Sequence, residues 1–254
     1  MEINYGRGVA LLRTYADDGY RPDYSTLAIR DSFDHIEADA VDPDGFQCPE
    51  EPYEDELTGT LATSGYSWLQ AVTGGDWAEE NRAELEAHDG APPAEPEAWD
   101  DMVEGCYGAT TGWVGLDALI PGDLEAHLRL GPPGLYRARF ARRPAPRTDG
   151  DIRPDLFRVQ FWPVAGPTPP QWLRRAVPGH DFLREDFVLA DIAYLTRWSP
   201  GRVLTTSVEE LARRLLLTPE RIAGALAYRH ENPLEVEGDA GHAGSPLTVR
   251  LRRG

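Results

Sequence analysis

Leu135-Tyr136-Arg137-Ala138-Arg139-Phe140 alternates strictly: Tyr136, Ala138 and Phe140 fall on one side of an extended chain, and Arg137 and Arg139 fall on the other. Phe157-Arg158-Val159-Gln160-Phe161-Trp162 repeats the pattern, with Phe157, Val159 and Phe161 inward and Arg158 and Gln160 outward. Between them, Pro144, Pro146, Gly150 and Pro154 suit a surface excursion, so the two runs read as antiparallel neighbours. A sheet of this kind has one buried and one wet face, which predicts a β-sandwich or half-open barrel with Arg137, Arg139 and Arg158 on the wet face.

Upstream the chain is poorly periodic and broken by turn formers at Asp17-Asp18-Gly19, Asp42-Pro43-Asp44-Gly45 and Gly74-Gly75-Asp76. Short strands fit best. Tyr24-Ser25-Thr26-Leu27-Ala28-Ile29 mixes β-branched and aromatic residues, and Arg82-Ala83-Glu84-Leu85-Glu86-Ala87-His88 alternates with period two.

Downstream, a Pro-rich run at 163–170 precedes a change of period from two to 3.6. Phe187, Val188, Ala190, Ile192, Ala193 and Leu195 mark a helix that ends before Ser199-Pro200-Gly201. Ser207 followed by Glu210 reads as a capping box opening a second helix, and Thr218-Pro219-Glu220 opens a third whose buried stripe is Ile222, Ala223 and Leu226. Leu234-Glu235-Val236 and Leu247-Thr248-Val249-Arg250-Leu251 then form a hairpin. The whole is therefore expected to be an α+β protein: an antiparallel β-sandwich-like domain at 1–168, a Pro-rich bridge and linker at 169–183, and a winged helix-turn-helix domain at 184–254. Trp162 and Trp172 flank the Pro-rich run and are expected to bury it against both parts.

Two resemblances accompany this reading. His88-Asp89-Gly90-Ala91-Pro92-Pro93, Trp99-Asp100-Asp101-Met102-Val103-Glu104, Pro133-Gly134-Leu135-Tyr136-Arg137-Ala138-Arg139 and Phe157-Arg158-Val159-Gln160-Phe161-Trp162-Pro163 resemble a β-rich domain of uncharacterised actinobacterial proteins, over roughly 80–165. That family is distantly similar, by strand order and acidity, to the small inhibitors of the DNA-entry nuclease in competent bacteria, which implies an inhibitor role. Thr206-Ser207-Val208-Glu209-Glu210-Leu211-Ala212-Arg213-Arg214 followed by Thr218-Pro219-Glu220-Arg221-Ile222-Ala223-Gly224-Ala225-Leu226 resembles the winged helices of bacterial regulators.

Charge separates the function classes further. The 254 residues hold 43 acids against 25 basic residues, all of them Arg, for a net −18. Residues 1–130 carry net −23, residues 131–200 net +4 and residues 201–254 net +1. Such a field repels nucleic acid and anionic membranes and attracts basic proteins. The acidity reads either as a solubilising surface or as a docking face for a cationic partner. On the second reading Glu50, Glu51, Tyr53, Glu54, Asp55 and Glu56 are the first candidate contacts, five carboxylates around one rigid aromatic. If the winged helix touches DNA, Arg221 and Arg229 approach the major groove and Arg250, Arg252 and Arg253 hold phosphate.

Sites of chemistry are not legible. His35, His88, His127, His180, His230 and His242 stand singly, and Cys48 and Cys106 read as plain core thiols. Gly112-Trp113-Val114-Gly115 lacks the lysine of a phosphate loop, and Asp31, Asp34 and Glu37 read as surface carboxylates. No catalytic residue, metal or cofactor is expected. The chain start lacks a signal peptide's apolar run, so a cytoplasmic location without membrane contact is expected. The expected function is a non-enzymatic interaction protein, an inhibitor or immunity-type regulator of a basic nucleic-acid-binding protein. The alternative is a DNA-binding transcriptional regulator with an N-terminal sensing domain.

Overall fold

A computed structural model describes residues 9–22, 26–31, 59–72, 81–117, 125–144, 155–176, 184–228 and 232–252. Its first part is built from β1 (Leu11–Tyr20), β2 (Thr26–Arg30), β3 (Ala62–Ser64), β4 (Trp68–Val72), β5 (Asn81–His88), β6 (Asp101–Ala109), β7 (Trp113–Asp117), β8 (Leu128–Arg129), β9 (Gly134–Pro144), β10 (Asp155–Pro163) and β11 (Gln171–Arg174). These make a six-stranded sheet in the order β1-β5-β10-β9-β6-β11 and a five-stranded sheet in the order β3-β4-β2-β7-β8. As the alternation predicts, β9 and β10 pair antiparallel, with Phe140 opposite Val159. The larger sheet is mixed, because β5 and β10 run parallel with Leu85 beside Val159. Inward faces supply the sandwich core: Leu27, Ile29 and Val114 from the smaller sheet, and Leu85, Phe140, Phe157 and Phe161 from the larger, are fully buried. Aromatic geometry fixes them further. Phe140 stacks on Phe157 at 6.3 Å between centroids, and Tyr107 meets Phe161 edge-on at 5.3 Å.

The opposite face of the larger sheet is covered at Arg137 and Arg139 but stays partly wet at Arg158, 31% exposed, and Arg82, 46% exposed. Arg137 and Arg139 are buried beneath the segments around Pro92-Pro93 and Thr168-Pro169. Arg139 donates Nε to Glu104 at 2.7 Å, and its other donors reach the carbonyls of Pro92 and Pro93 and the Oε1 of Gln160, each at 3.0 Å. Arg137 donates to Thr168 Oγ1 at 2.8 Å and to the Pro169 carbonyl. Proline lacks an N–H to pair in a sheet but keeps its carbonyl, so proline-rich straps suit a guanidinium with five donors. Arg142 breaks the alternation: it turns between the two sheets, ion-paired with Asp101 and bonded to the Val72 carbonyl. A small apolar cluster of Trp99, Met102, Ala141 and Leu156 completes the cover, with Arg143 and Arg158 each over the Trp99 ring.

The turn expected at Asp17-Asp18-Gly19 is instead the end of β1, where the pairing with β5 shifts register between Asp17 and Tyr20. Turn residues there serve an irregularity in a strand rather than a reversal. The turn signals at 42–45 and 74–76 lie outside the described residues.

The second part holds α1 (Glu185–Arg197), β12 (Val203–Thr206), α2 (Val208–Leu215), α3 (Pro219–Ala227), β13 (Leu234–Gly238) and β14 (Leu247–Leu251). Both anticipated caps form, the Ser207 and Thr218 side chains accepting the amides of Glu210 and Arg221. Glu210 does not reach back to close the box; its carboxylate holds Arg213 and Arg214. The hairpin is joined by β12, giving a three-stranded sheet in the order β12-β14-β13 and a winged-helix-like arrangement. Apolar packing is continuous between the two parts, one cluster running from Phe140 and Phe161 to Ile192, Leu211 and Val249.

Candidate interaction surfaces

Helix α1 is buried nearly all round, Val188, Leu189, Asp191, Ile192, Ala193, Tyr194, Leu195 and Thr196 included. A helix of that character lies between two layers. On one side it packs against α3 and β14, and on the other its Asp191 and Tyr194 bond to Thr60 and Ser64 of the sandwich. Two polar latches sit in that second contact. In the first, Asp191 accepts the Thr60 amide at 3.0 Å and the Thr60 hydroxyl, and Arg175 lies 3.4 Å from the same carboxylate. Arg175 also donates to Thr60 Oγ1 at 2.6 Å and to the carbonyl of Leu215, the last residue of α2, at 2.9 Å. Burial raises the Asp191 carboxyl above its ordinary value, against the pull of Arg175 and Thr60. In the second latch, Ser64 donates to the Cys106 carbonyl at 2.7 Å, so the Tyr194 hydroxyl, 2.6 Å away, is the donor to Ser64 Oγ. Trp198 donates to the Ser64 carbonyl at 3.3 Å, and the Trp172 ring meets Tyr194 edge-on at 6.4 Å. Trp162 does not join this contact; its ring lies under Arg139.

The face of the winged-helix part that would meet DNA is close to neutral. Helix α3 exposes Glu220, Arg221, Gly224 and Ala227, and Tyr228 just past its end is also exposed. A shallow groove between the start of α1 and α3 is lined by Glu185, Val188, Thr218, Glu220, Arg221 and Gly224, which sets two carboxylates beside one guanidinium. In the wing, Arg250 is bonded to Glu237 at 2.7 Å. Arg252 is exposed just past β14, its amide bonded to the Pro233 carbonyl. Arg229 and Arg253 lie outside the described residues, as do Glu50, Glu51, Tyr53, Glu54, Asp55 and Glu56.

Other singled-out residues have structural partners. Asp31 is buried and accepts the amides of Thr110 and Thr111 and the Thr111 hydroxyl, which corrects its reading as a surface carboxylate; Asp34 and Glu37 lie outside the described residues. The signal missed was its place at the end of an apolar strand, where a buried carboxylate collects loop amides. Cys106 is fully buried, its sulfur 3.3 Å from the Thr168 amide. His127 stacks on Tyr15 at 4.4 Å and accepts the Leu116 amide. Among the described residues no group of three or more His, Cys, Asp and Glu is placed to hold a metal ion, and no helix is long and apolar enough to cross a membrane.

No protein-family model matches the chain. No curated protein matches it either. Among solved structures it is similar to the crystal structure of ComJ, inhibitor of the DNA degrading activity of NucA, from Bacillus subtilis, with 11% identity and a TM-score of 0.37 over 62% of this chain and 100% of that one.

Proposed function

We propose that the chain is a non-enzymatic interaction protein that occupies the cationic surface of a basic nucleic-acid-binding protein, as an inhibitor or immunity-type regulator. The observation that carries this reading is the segregation of charge: net −23 in residues 1–130, beside a C-terminal part at net +1. An acidic field of that size steers a basic partner into place and repels duplex DNA. The stretch Glu50, Glu51, Tyr53, Glu54, Asp55 and Glu56 is the proposed first contact. The winged-helix-like arrangement favours a second reading, a DNA-binding regulator that uses Arg221, Arg229, Arg250, Arg252 and Arg253, but Arg221 shares its groove with the carboxylates Glu185 and Glu220 and the wing pairs Arg250 with Glu237.

Affinity purification of the full chain from its native host at about 0.05 M salt separates the two. The expected outcome is a retained basic protein released by about 0.5 M salt, as the Debye length falls from roughly 14 to 4 Å, and slower association when the five acids of 50–56 are changed to Gln or Ser. Selection on random oligonucleotides that returns a palindromic motif would replace this reading with the second.

A further inference from the structure

Strand β1 ends the larger sheet, pairing with β5 on one side while no described strand pairs with its other side. At ten residues it is long for an edge, and it contains no proline. Of the exposed large apolar side chains among the described residues, Val9, Leu11 and Leu12 gather at its start, Leu11 at 54% and Leu12 at 50% exposure. Between two register shifts, the run from Arg13 to Asp17 pairs regularly with Ala87 to Ala83. A regular open run with exposed apolar side chains just before it is a template for another strand.

The side chains on this run indicate which strand. Arg13, Tyr15 and Asp17 share one face. Arg13 reaches only the Arg129 carbonyl, at 3.5 Å, and Asp17 accepts only the Gly19 amide; neither has an ion-pair partner among the described residues. An antiparallel copy of the same strand centred on Tyr15 sets Arg13 opposite the partner's Asp17 and Asp17 opposite the partner's Arg13. The two-fold axis makes the Arg13–Asp17 pair occur twice, as an isologous interface requires.

We propose that β1 is a self-association edge: two copies of the chain pair antiparallel through Arg13 to Asp17, joining their six-stranded sheets into one continuous sheet.

Sedimentation of the full-length protein at about 0.15 M salt, from roughly 1 to 200 μM, tests this. The expected result is a reversible dimer of twice the 28.2 kDa chain mass. Arg13→Asp and Asp17→Arg should each raise the dimer midpoint by about tenfold or more, because one substitution turns two attractive pairs repulsive. The double variant should restore association, and this rescue distinguishes register-specific pairing from general stickiness. Both side chains are solvated, so circular dichroism should show all variants folded. A monomer throughout the range, with β1 amides protected or not, overturns the proposal in favour of another occupant of the edge: a segment of the same chain or a different protein. A dimer indifferent to charge reversal, or a double variant that stays monomeric, overturns it as well.

Discussion

The Tyr194 hydroxyl oxygen lies 2.6 Å from Ser64 Oγ, directly above Gly105, where any Cβ would collide with that oxygen and stand 2.8 Å from Tyr194 Cζ. A glycine in the middle of β6 is thus the space through which α1 reaches β3.

Gly105→Ala should destabilise the protein by about 1–3 kcal/mol, the usual cost of overpacking a filled site. Tyr194→Phe should cost about 1 kcal/mol, for one hydrogen bond. Because Phe removes the colliding oxygen, the double variant should be more stable than the sum of the single losses allows. Urea unfolding of all four proteins measures the coupling; strict additivity would mean that the two sites do not touch.

Arg175→Met removes the counterion of a fully buried carboxylate and should cost about 3–5 kcal/mol near pH 7.5. Arg175 holds the Asp191 carboxyl down against burial, so the variant's carboxyl rises further. A raised native value means that the native state binds a proton the unfolded chain has released. The variant should therefore recover stability as pH falls towards the ordinary carboxylate value and lose it as pH rises. Urea unfolding at pH 4.5 and 7.5 gives the comparison, and a variant deficit that does not shrink in acid would contradict the latch.

Glu210 behaves in the opposite sense. Its hydrogen bonds to Arg213 and Arg214 lower its carboxyl to about 2. A lowered native value contributes stability above the ordinary carboxylate value, and this is lost as pH falls towards 2. Since the group is solvated, Glu210→Gln should cost no more than about 0.5 kcal/mol at pH 7 and nothing in strong acid, as read from thermal midpoints.

Arg139→Lys should be as harmful as a non-conservative change, costing about 3 kcal/mol, because an ammonium cannot span Glu104, two proline carbonyls and Gln160 together. Arg250→Ala, at a solvated ion pair, should stay within about 0.5 kcal/mol. Thermal denaturation of the two variants side by side checks the contrast.

Local rules made much of the architecture legible. The alternation in β9 and β10 identified the sandwich strands, while the Ser207 and Thr218 caps with Ile222 and Leu226 identified α2 and α3. What escaped was long-range. A polar row reads the same whether water or a strap covers it, and the burial of Arg139 depended on Pro93, 46 residues away, and that of Arg137 on Pro169, 32 residues away. The parallel pairing of β5 with β10 spans four intervening strands and leaves no local mark. Asp191 stood inside an apolar helical run, and that was the one hint of a latch; its partner Thr60 lies 131 residues away. The acidic stretch 50–56 was conspicuous in composition and falls outside the described residues.

Arg175 ties Asp191 and the final carbonyl of α2 to Thr60, 115 residues before it, in one knot. Side-chain contacts therefore join the sheets to the helices in addition to the backbone. After a peptide bond is cut between Ala176 and Arg184, the two pieces are expected to copurify, held by that knot and by the shared apolar cluster.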